Sequence, residues 1–365
     1  MQSFKLKSIL FSLALAAVFS SCRKDKTIGP DNQSIAAVRK GLYILNQGSF
    51  NSNNSTLSYY DYDTKALVPD QFFTANNRGL GDTGNDAEVY GSKLYIVVDV
   101  SNTLEVVDAK TAKSIKQISF VNGTTGRQPR NIVFNQNKAY VSSYDGTVAV
   151  IDTASLTVEQ YITVGRNPEK MAITNGKLYV ANSGGLSYPN YDKTVSVIDL
   201  TTKTVTKTIT VTENPNGVAA DKYGNVYILS FGNYADVSPA MTIIDSKTDV
   251  VTKTFADFNG NVMSINGDYL YIAGNAYDAT GNASSYVKLF NVKTVSVEKA
   301  NFITDGTVIT TAYGINADPF TGEVFVTDAK NYSTNGEVFC FSSAGVKKYS
   351  LTTGINPGNV TFINK

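Results

Sequence analysis

One pattern of apolar and polar positions recurs along the chain from residue 41 to its end. An apolar strand led by an aromatic residue occurs seven times, and successive copies lie 39 to 54 residues apart. These strands begin at Tyr43, Tyr95, Tyr140, Tyr179, Tyr227, Tyr271 and Phe325. A repeat of this length indicates one supersecondary unit copied in tandem.

Three further elements complete each unit. A second apolar strand follows and ends in a turn that opens with Asp, Asn or Ser, at Asp61, Asp108, Asp152, Asp199, Asp245, Asn291 and Ser342. Next comes a stretch that alternates Thr or Lys with Val or Ile, as at residues 204–211, and such alternation is typical of a strand. The remaining element precedes the aromatic strand, at residues 85–90, 129–134, 168–173, 215–220, 260–265, 313–317 and 357–362.

Each unit therefore consists of four short strands, A to D, and no helical period of comparable length is present. Seven such units predict an all-β fold, a seven-bladed β-propeller, in which radial closure removes exposed sheet edges. The first unit lacks an A strand, and the chain ends in a surplus one at residues 357–363. We predict that this last strand completes the blade begun at Tyr43, so that residues 41–365 form one domain.

The N-terminus has the pattern of a targeting segment. Lys5 and Lys7 precede an apolar run at residues 8–19, which is shorter than the roughly 18 to 20 residues that span a bilayer. Ser20 and Ser21 then precede Cys22, an ending that resembles the lipobox of bacterial lipoproteins. We expect a signal peptide at residues 1–21, an acylated Cys22 and a flexible tether at residues 22–40, with the lipid as the only membrane anchor. An ordinary secreted protein with a free cysteine is the alternative.

Composition removes several classes of chemistry. The 365 residues include no histidine, which excludes Ser-His-Asp and Cys-His nucleophile systems and His-ligated zinc. The net charge of +1 gives no basic surplus for nucleic acid. If Cys22 carries lipid, Cys340 is the only other cysteine, and we interpret it as a buried structural thiol. An Asp side chain at the start of a turn accepts hydrogen bonds from the backbone two residues on. We therefore assign the turn-opening Asp residues to turn structure and not to catalysis.

Several segments resemble known families. The segments KLYVANSGG at 177–185 and KAYVSSYDG at 138–146 resemble the YVTN-type propeller repeat. A narrower resemblance is carried by GLYILNQGSF at 41–50, STLSYYDYDT at 55–64, GDTGND at 81–86, NSGGLSYPNYDKTVSVIDLTT at 182–202, NFITDGT at 301–307 and VTDAKNY at 326–332. These segments look like the BtuG family, the surface lipoproteins of Bacteroidetes that capture cobalamin (vitamin B12) and related corrinoids. The resemblance implies an outer-membrane lipoprotein that passes its ligand to a TonB-dependent transporter of the BtuB type, with cobalamin as ligand rather than cofactor.

Topology places the expected binding residues on one face of the propeller. In this fold the D-to-A and B-to-C loops share a face, and here they are the long, irregular and aromatic ones. The flat ring of a corrinoid needs aromatic contacts, for which the candidates are Tyr188, Tyr191, Phe231, Tyr234, Tyr277 and Tyr313. Its amide rim and phosphate need polar partners, for which the candidates are Asn85, Asp86, Asn182, Asn190 and Asn233 for the amides and Arg130 and Arg166 for the phosphate.

Other functional classes stay open at this point. A carbohydrate-binding lipoprotein would use the same face, although sugar stacking often uses Trp, which is absent. A propeller lactonase or lyase would need a metal held by oxygen ligands, and Asp82, Asp86 and Glu88 form the best acidic cluster. A scaffold without a small ligand is the third class. The residues favour binding without catalysis.

Overall fold

A computed structural model describes residues 38–277 and 283–365, with the backbone alone described at residues 276, 277 and 283. The predicted signal peptide and most of the predicted tether, Cys22 included, lie outside the described residues. Within them, no helix is long and apolar enough to cross a membrane.

The described strands follow the predicted order. Blades 1 to 3 contain β1 (Arg39–Asn46), β2 (Thr56–Asp61), β3 (Leu67–Val68), α1 (Gln71–Asn76), β4 (Gly84–Tyr90), β5 (Lys93–Val98), β6 (Thr103–Asp108), β7 (Ser114–Ser119), β8 (Val121–Asn122), β9 (Thr125–Gly126), β10 (Pro129–Asn135), β11 (Lys138–Ser143), β12 (Thr147–Asp152) and β13 (Thr157–Thr163). Blades 4 and 5 contain β14 (Pro168–Thr174), β15 (Lys177–Asn182), β16 (Thr194–Asp199), β17 (Thr204–Thr210), β18 (Pro215–Ala220), β19 (Asn225–Ser230), β20 (Ala240–Asp245) and β21 (Val250–Ala256). Blades 6 and 7 contain β22 (Val262–Asn266), β23 (Tyr269–Tyr277), β24 (Ala283–Asn291), β25 (Ser296–Lys299), β26 (Ala312–Ala317), β27 (Val324–Asp328), β28 (Asn335–Phe341) and β29 (Lys347–Ile355), and β30 (Pro357–Asn364) ends the chain.

These strands form seven four-stranded antiparallel sheets within the described residues, as the repeat predicts. The first sheet has the order β3-β2-β1-β30, so the last strand of the chain supplies the inner strand of the first blade. Its register pairs Leu42 with Phe362 and Ile44 with Val360. The predicted closure is therefore confirmed, because the chain ends meet inside a single sheet.

Blade 1 contains a short helix that the sequence pattern does not predict. Its outer strand β3 is only two residues long, and α1 follows at once, with the Asp70 carboxylate accepting a hydrogen bond from the N–H of Phe73 at 3.0 Å. Phe72 is fully buried among apolar residues of blades 1 and 2. The helix fills the space that a longer outer strand would occupy, and six residues are too few to show a helical period.

The core consists of apolar clusters that join neighbouring blades. The leading aromatic residues Tyr43, Tyr95, Tyr140, Tyr179 and Tyr227 have almost no exposed surface. The cluster around Tyr95 of blade 2, for example, includes Ile132 and Val141 of blade 3. Since each blade buries its faces against its neighbours, stability depends on an unbroken ring.

The C-to-D turns confirm the expected turn chemistry. The Asp152 carboxylate accepts hydrogen bonds from the N–H groups of Ala154 and Ser155 at 3.0 and 2.8 Å. Asp61, Asp108, Asp199 and Asn291 accept from the two equivalent N–H groups. Cys340 is buried in β28, and burial raises the pKa of its thiol to about 12, as expected of an inert structural residue.

Candidate functional site

The B-to-C and D-to-A loops are hydrogen-bonded to one another at one end of the blades, which we call the loop face. The residue after a B strand donates its N–H to the carbonyl just before the A strand of the same blade. Ser183 donates to Asn167 at 3.2 Å, and Phe231 donates to Asn214 at 3.0 Å. Asn167 and Asn214 adopt left-handed backbone angles directly before a proline, a conformation that Asn tolerates better than most residues.

A cavity of about 530 Å³, which we call the central cavity, opens on the loop face. The inner strands of all seven blades line it, so no single repeat contains it. Side-chain amides concentrate in its lining, from Gln47, Asn85, Asn216, Asn261, Asn275 and Asn359. Partly buried apolar side chains also line its walls, from Val133, Val218, Val262 and Met263.

The structure places two of the predicted amide partners, Asn85 and Asp86, in this cavity. Asn85 donates its side-chain N–H to the carbonyl of Arg130. Asp86 is buried and accepts hydrogen bonds from the N–H of Ile132 at 3.0 Å and from the amide of Asn359 at 3.1 Å. Asp86 therefore ties the inner strands of three blades together, and Asn85 is the better placed of the two to meet a ligand.

Arg130 lines the cavity but is already neutralised. Its guanidinium forms ion pairs with Asp99 and with Glu169, the latter at 3.2 Å, and lies 4.4 Å from the ring centroid of Tyr144. Burial lowers the pKa of Arg130, but the carboxylates of Glu169 and Asp99 raise it by more, so the pKa lies above its usual value. Burial raises the pKa of Asp99 as well. Because two carboxylates already neutralise this one cation, Arg130 is poorly suited to bind a phosphate.

Four of the predicted aromatic residues come together on the loop face, and we call them the aromatic row. Tyr188 and Tyr191, from the B-to-C loop of blade 4, have ring centroids 6.1 Å apart. Tyr191 lies 5.9 Å from Tyr234, and Tyr234 lies 6.4 Å from Phe231, both in the corresponding loop of blade 5. Phe231 also lines the central cavity, so the row leads from the exposed Tyr188 to the cavity mouth.

Arg166 and Asn190 hold the loop that carries Tyr188 and Tyr191. The Arg166 guanidinium donates to the hydroxyl of Ser187 at 2.9 Å, to the carbonyl of Asn190 at 3.0 Å and to the Asp192 carboxylate at 3.0 Å. These bonds clamp both ends of the loop. Arg166 thus lies outside the central cavity, where it orders the aromatic loop.

The remaining predicted residues are placed differently. Asn182 is fully buried, and its amide donates to Thr194 and Ser196, so its side chain is not available to a ligand on the loop face. Asn233 accepts two backbone N–H bonds within its own loop. Tyr313 lines the cavity and donates its hydroxyl to Gln47, and burial raises its pKa to about 12. Tyr277 ends β23, and its side chain lies outside the described residues.

The sequence pattern alone missed much of the cavity lining. Glu169, Lys170, Asn216, Asn261 and Asn359 all line it, and they lie near the starts of four inner strands, β14, β18, β22 and β30. A recurring polar residue in the first three positions of an A strand, or just before the strand, is the signal that could have identified them. Such residues lie at the mouth because the A strands begin at the loop face.

The acidic residues near blade 2 do not converge. Asp82 accepts hydrogen bonds from the N–H groups of Asn51 and Asn53, at 3.2 and 3.0 Å, and thereby holds a loop of blade 1. Within residues 38–277 and 283–365, no three Cys, Asp or Glu side chains are arranged to hold a metal ion. The proposed oxygen-ligated metal site at Asp82, Asp86 and Glu88 is therefore without support in the described structure.

Tyr234 adopts a backbone conformation that is unusual for a bulky residue. Its φ of 58° lies in the left-handed region, and its side chain is 69% exposed. The left-handed conformation costs a non-glycine residue roughly 1–2 kcal/mol.

We expect Tyr234→Gly to be more stable than Tyr234→Ala by about 1 kcal/mol, because glycine releases the strain at a smaller entropic cost. Urea unfolding of the two variants measures this difference. The same pair of substitutions at Tyr191, whose φ is negative, is the control, and there Ala should be the more stable. An Ala variant more stable than Gly at position 234 would contradict the assignment of strain.

Comparison with known proteins identifies a family. The profile of the family described as "Domain of unknown function (DUF5074)" matches residues 40–359. The chain belongs to this family. The match spans essentially the whole propeller, from β1 into β30, and the family's description assigns it no activity. No curated protein matches the sequence.

Solved structures similar to this member of the family share its fold. A quinonprotein alcohol dehydrogenase-like protein from Bacteroides thetaiotaomicron has a TM-score of 0.61 at 20% identity, covering 89% of this chain and 78% of that one. Hydrazine synthase of Kuenenia stuttgartiensis has a TM-score of 0.64 at 15% identity, covering 77% of this chain and 95% of that one. The computationally designed protein Ika8 has a TM-score of 0.56 at 11% identity, covering 90% and 98%. At these identities the likeness establishes the fold alone.

Proposed function

We propose that this propeller captures a corrinoid such as cobalamin on its loop face and releases it chemically unaltered. The observation that carries the proposal is the aromatic row, four rings that end at a cavity mouth rich in amides. A corrinoid has a broad flat ring, which suits aromatic contacts, and an amide rim, which suits side-chain amides.

The volume of the central cavity determines where a corrinoid can bind. A corrinoid is larger than the 530 Å³ of the central cavity, so its ring would cover the mouth rather than enter it. Asn85 and Tyr313 at the mouth, together with the aromatic row, are then the contacts available to it. Arg130 and Arg166 already form ion pairs with carboxylates, so they order the site rather than bind a phosphate.

The cellular setting is proposed from the sequence. A lipid on Cys22 would anchor the propeller to the outer membrane, on the cell surface. There it would pass its ligand to a TonB-dependent transporter of the BtuB type. The BtuG-like segments support this, since 182–202 includes the loop that carries Tyr188 and Tyr191. Binding without catalysis agrees with a chain that has no histidine.

Calorimetric titration with cyanocobalamin tests the proposal directly. We expect the native protein to bind, and the double variant Tyr188→Ala, Tyr191→Ala to bind about tenfold more weakly or worse, since each ring contributes on the order of 1 kcal/mol. The ligand recovered after release should have an unchanged absorption spectrum.

Asp152→Ala is the matched control, because Asp152 lies in a C-to-D turn at the opposite end of its blade. The variant loses the bonds of Asp152 to Lys138 and to the turn, so it should be less stable than the native protein. Its affinity for cyanocobalamin should be unchanged. Equal affinities for the double variant and the native protein would exclude the aromatic row as the contact. Failure of the native protein to bind any corrinoid would remove the proposal and make oligosaccharides the next ligands to test.

A further inference from the structure

Glu88 has no evident role in the fold or in the proposed function. It belongs to β4 and lies in the lining of the central cavity, with its side chain exposed to the cavity space. Among the described residues, no hydrogen-bond donor or ion-pair partner contacts its carboxyl group. Asp86, on the same strand, differs in that all its bonding capacity is satisfied by Asn131, Ile132, Lys170 and Asn359.

The position of Glu88 separates it from a ligand lying over the mouth. Gly84 stands at the loop-face end of β4, and Glu88 follows four residues later, which is about 13 Å deeper at the rise of a strand. The short amide arms of a corrinoid do not extend so far. A molecule that reaches Glu88 must therefore be narrow and must enter the cavity end-on.

The charges around Glu88 favour a cation. Asp86 shares its strand, and Glu169 and Lys170 of β14, Arg130 of β10 and Tyr313 of β26 line the same cavity. Counting Asp99, which pairs with Arg130, three carboxylates accompany two cations. The cavity lining together with Asp99 thus has one net negative charge before Glu88 ionises. Desolvation inside the cavity and the Asp86 carboxylate raise the pKa of Glu88 to about 8, although the Lys170 ammonium lowers it.

The walls above Glu88 define the rest of the occupant. Val133, Val218, Val262 and Met263 line the cavity and are only partly buried, so they offer an apolar lining from three different blades. An aliphatic chain would gain from contact with them, whereas a hydrated polar chain would lose solvation.

We propose that the central cavity binds a primary ammonium group on a short aliphatic chain, with the Glu88 carboxylate as its acceptor. A charge-assisted hydrogen bond to this carboxylate satisfies a group that the protein leaves unpartnered. Binding requires the ionised carboxylate, so below pH 8 it displaces a proton from Glu88. This site is distinct from the aromatic row, and its binding is tested in the absence of any corrinoid.

Three probes of equal chain length test the proposal: hexylamine, hexanamide and hexanoate, titrated calorimetrically into the native protein. We expect hexylamine to bind at least tenfold more tightly than hexanamide at pH 8, and hexanoate not to bind. Between pH 6 and pH 7 the affinity for hexylamine should rise about tenfold and then level off above pH 8, because one proton leaves Glu88 as the amine binds. Titrations in buffers of different ionisation enthalpy should show this release at pH 7.

Glu88→Gln removes the charge and keeps the shape. It should fold normally, bind hexylamine at least tenfold more weakly at pH 8 and release no proton. Glu159→Gln is the matched control, since Glu159 is paired with Lys138 and Lys203 outside the cavity, and it should bind as the native protein does. Equal binding of hexylamine and hexanamide, an unaffected Glu88→Gln variant, or no binding of hexylamine at millimolar concentration would each overturn the proposal.

Discussion

A chain that ends at Asn356 is expected not to fold into a stable propeller. The truncation removes β30, whose Val360 and Ile363 are almost fully buried and whose Thr361 hydroxyl donates to the carbonyl of Ala87 in blade 2 at 2.7 Å. Blade 1 would lose its inner strand, and apolar surfaces of blades 7 and 2 would meet water. Since a typical domain is stable by only roughly 5–15 kcal/mol, we expect this loss to be enough to unfold the propeller. Circular dichroism during heating should show no cooperative transition.

Removal of Lys365 alone is the control for this truncation. Its side chain forms an exposed ion pair with Asp63 at 2.8 Å, and such pairs contribute about 1 kcal/mol or less. The shortened chain should therefore melt close to the native midpoint. Addition of a peptide covering residues 355–365 should restore the transition to the longer truncation, because the strand pairs with β1 without a covalent link to it. A native-like midpoint without β30 would contradict the closed ring.

Arg130→Met is expected to cost about 3–5 kcal/mol of unfolding free energy at neutral pH, because it leaves Asp99 and Glu169 buried without their cation. The ion-paired side chains of Arg130, Asp99 and Glu169 are 18%, 7% and 16% exposed. Arg166→Met is the matched control. Arg166 also pairs with a carboxylate on the loop face, but its side chain is 55% exposed, so the expected cost is about 1 kcal/mol or less.

The deficit of Arg130→Met should depend on pH in a defined direction. Burial already raises the pKa of Asp99, and loss of the neighbouring guanidinium raises it further. A group whose pKa is raised on folding stabilises the fold while it is protonated and loses that contribution as pH rises through the folded-state pKa. The variant should therefore recover part of its stability between pH 8 and pH 5, relative to the native protein, in urea unfolding. A loss of unfolding free energy that is constant over this range, or no larger than that of Arg166→Met, would contradict the prediction. It would show that solvent screens the charges of Arg130, Asp99 and Glu169.

The sequence by itself determined the architecture of this protein, because its signals are local and repeated. Repeated apolar runs and one alternating stretch defined the strands of each unit, and the observed inner strands begin and end within two residues of their predicted bounds. The Asp-led turns depend on bonds to groups two and three residues away, so short segments contain all the information they need. The first unit lacks an A strand and the chain ends in a surplus one, so the sequence implied closure by β30. The helix α1 escaped prediction because its six residues are too few to show a helical period, and Phe72 is buried by contacts with blades 1 and 2 that only the tertiary structure supplies.

Only the tertiary structure decided which polar side chains remain available for a ligand. The loop aromatics were recognisable from the sequence, and four of them meet because neighbouring loops lie side by side on the loop face. Arg130, Arg166 and Asn182 looked equally available, yet carboxylates or buried hydroxyls already bind them. The central cavity exists only once the ring has closed, since Asp86 meets Asn359 across 273 residues of chain. Residue type predicts what a side chain can bind, whereas its partners are set by contacts between blades that no local pattern encodes.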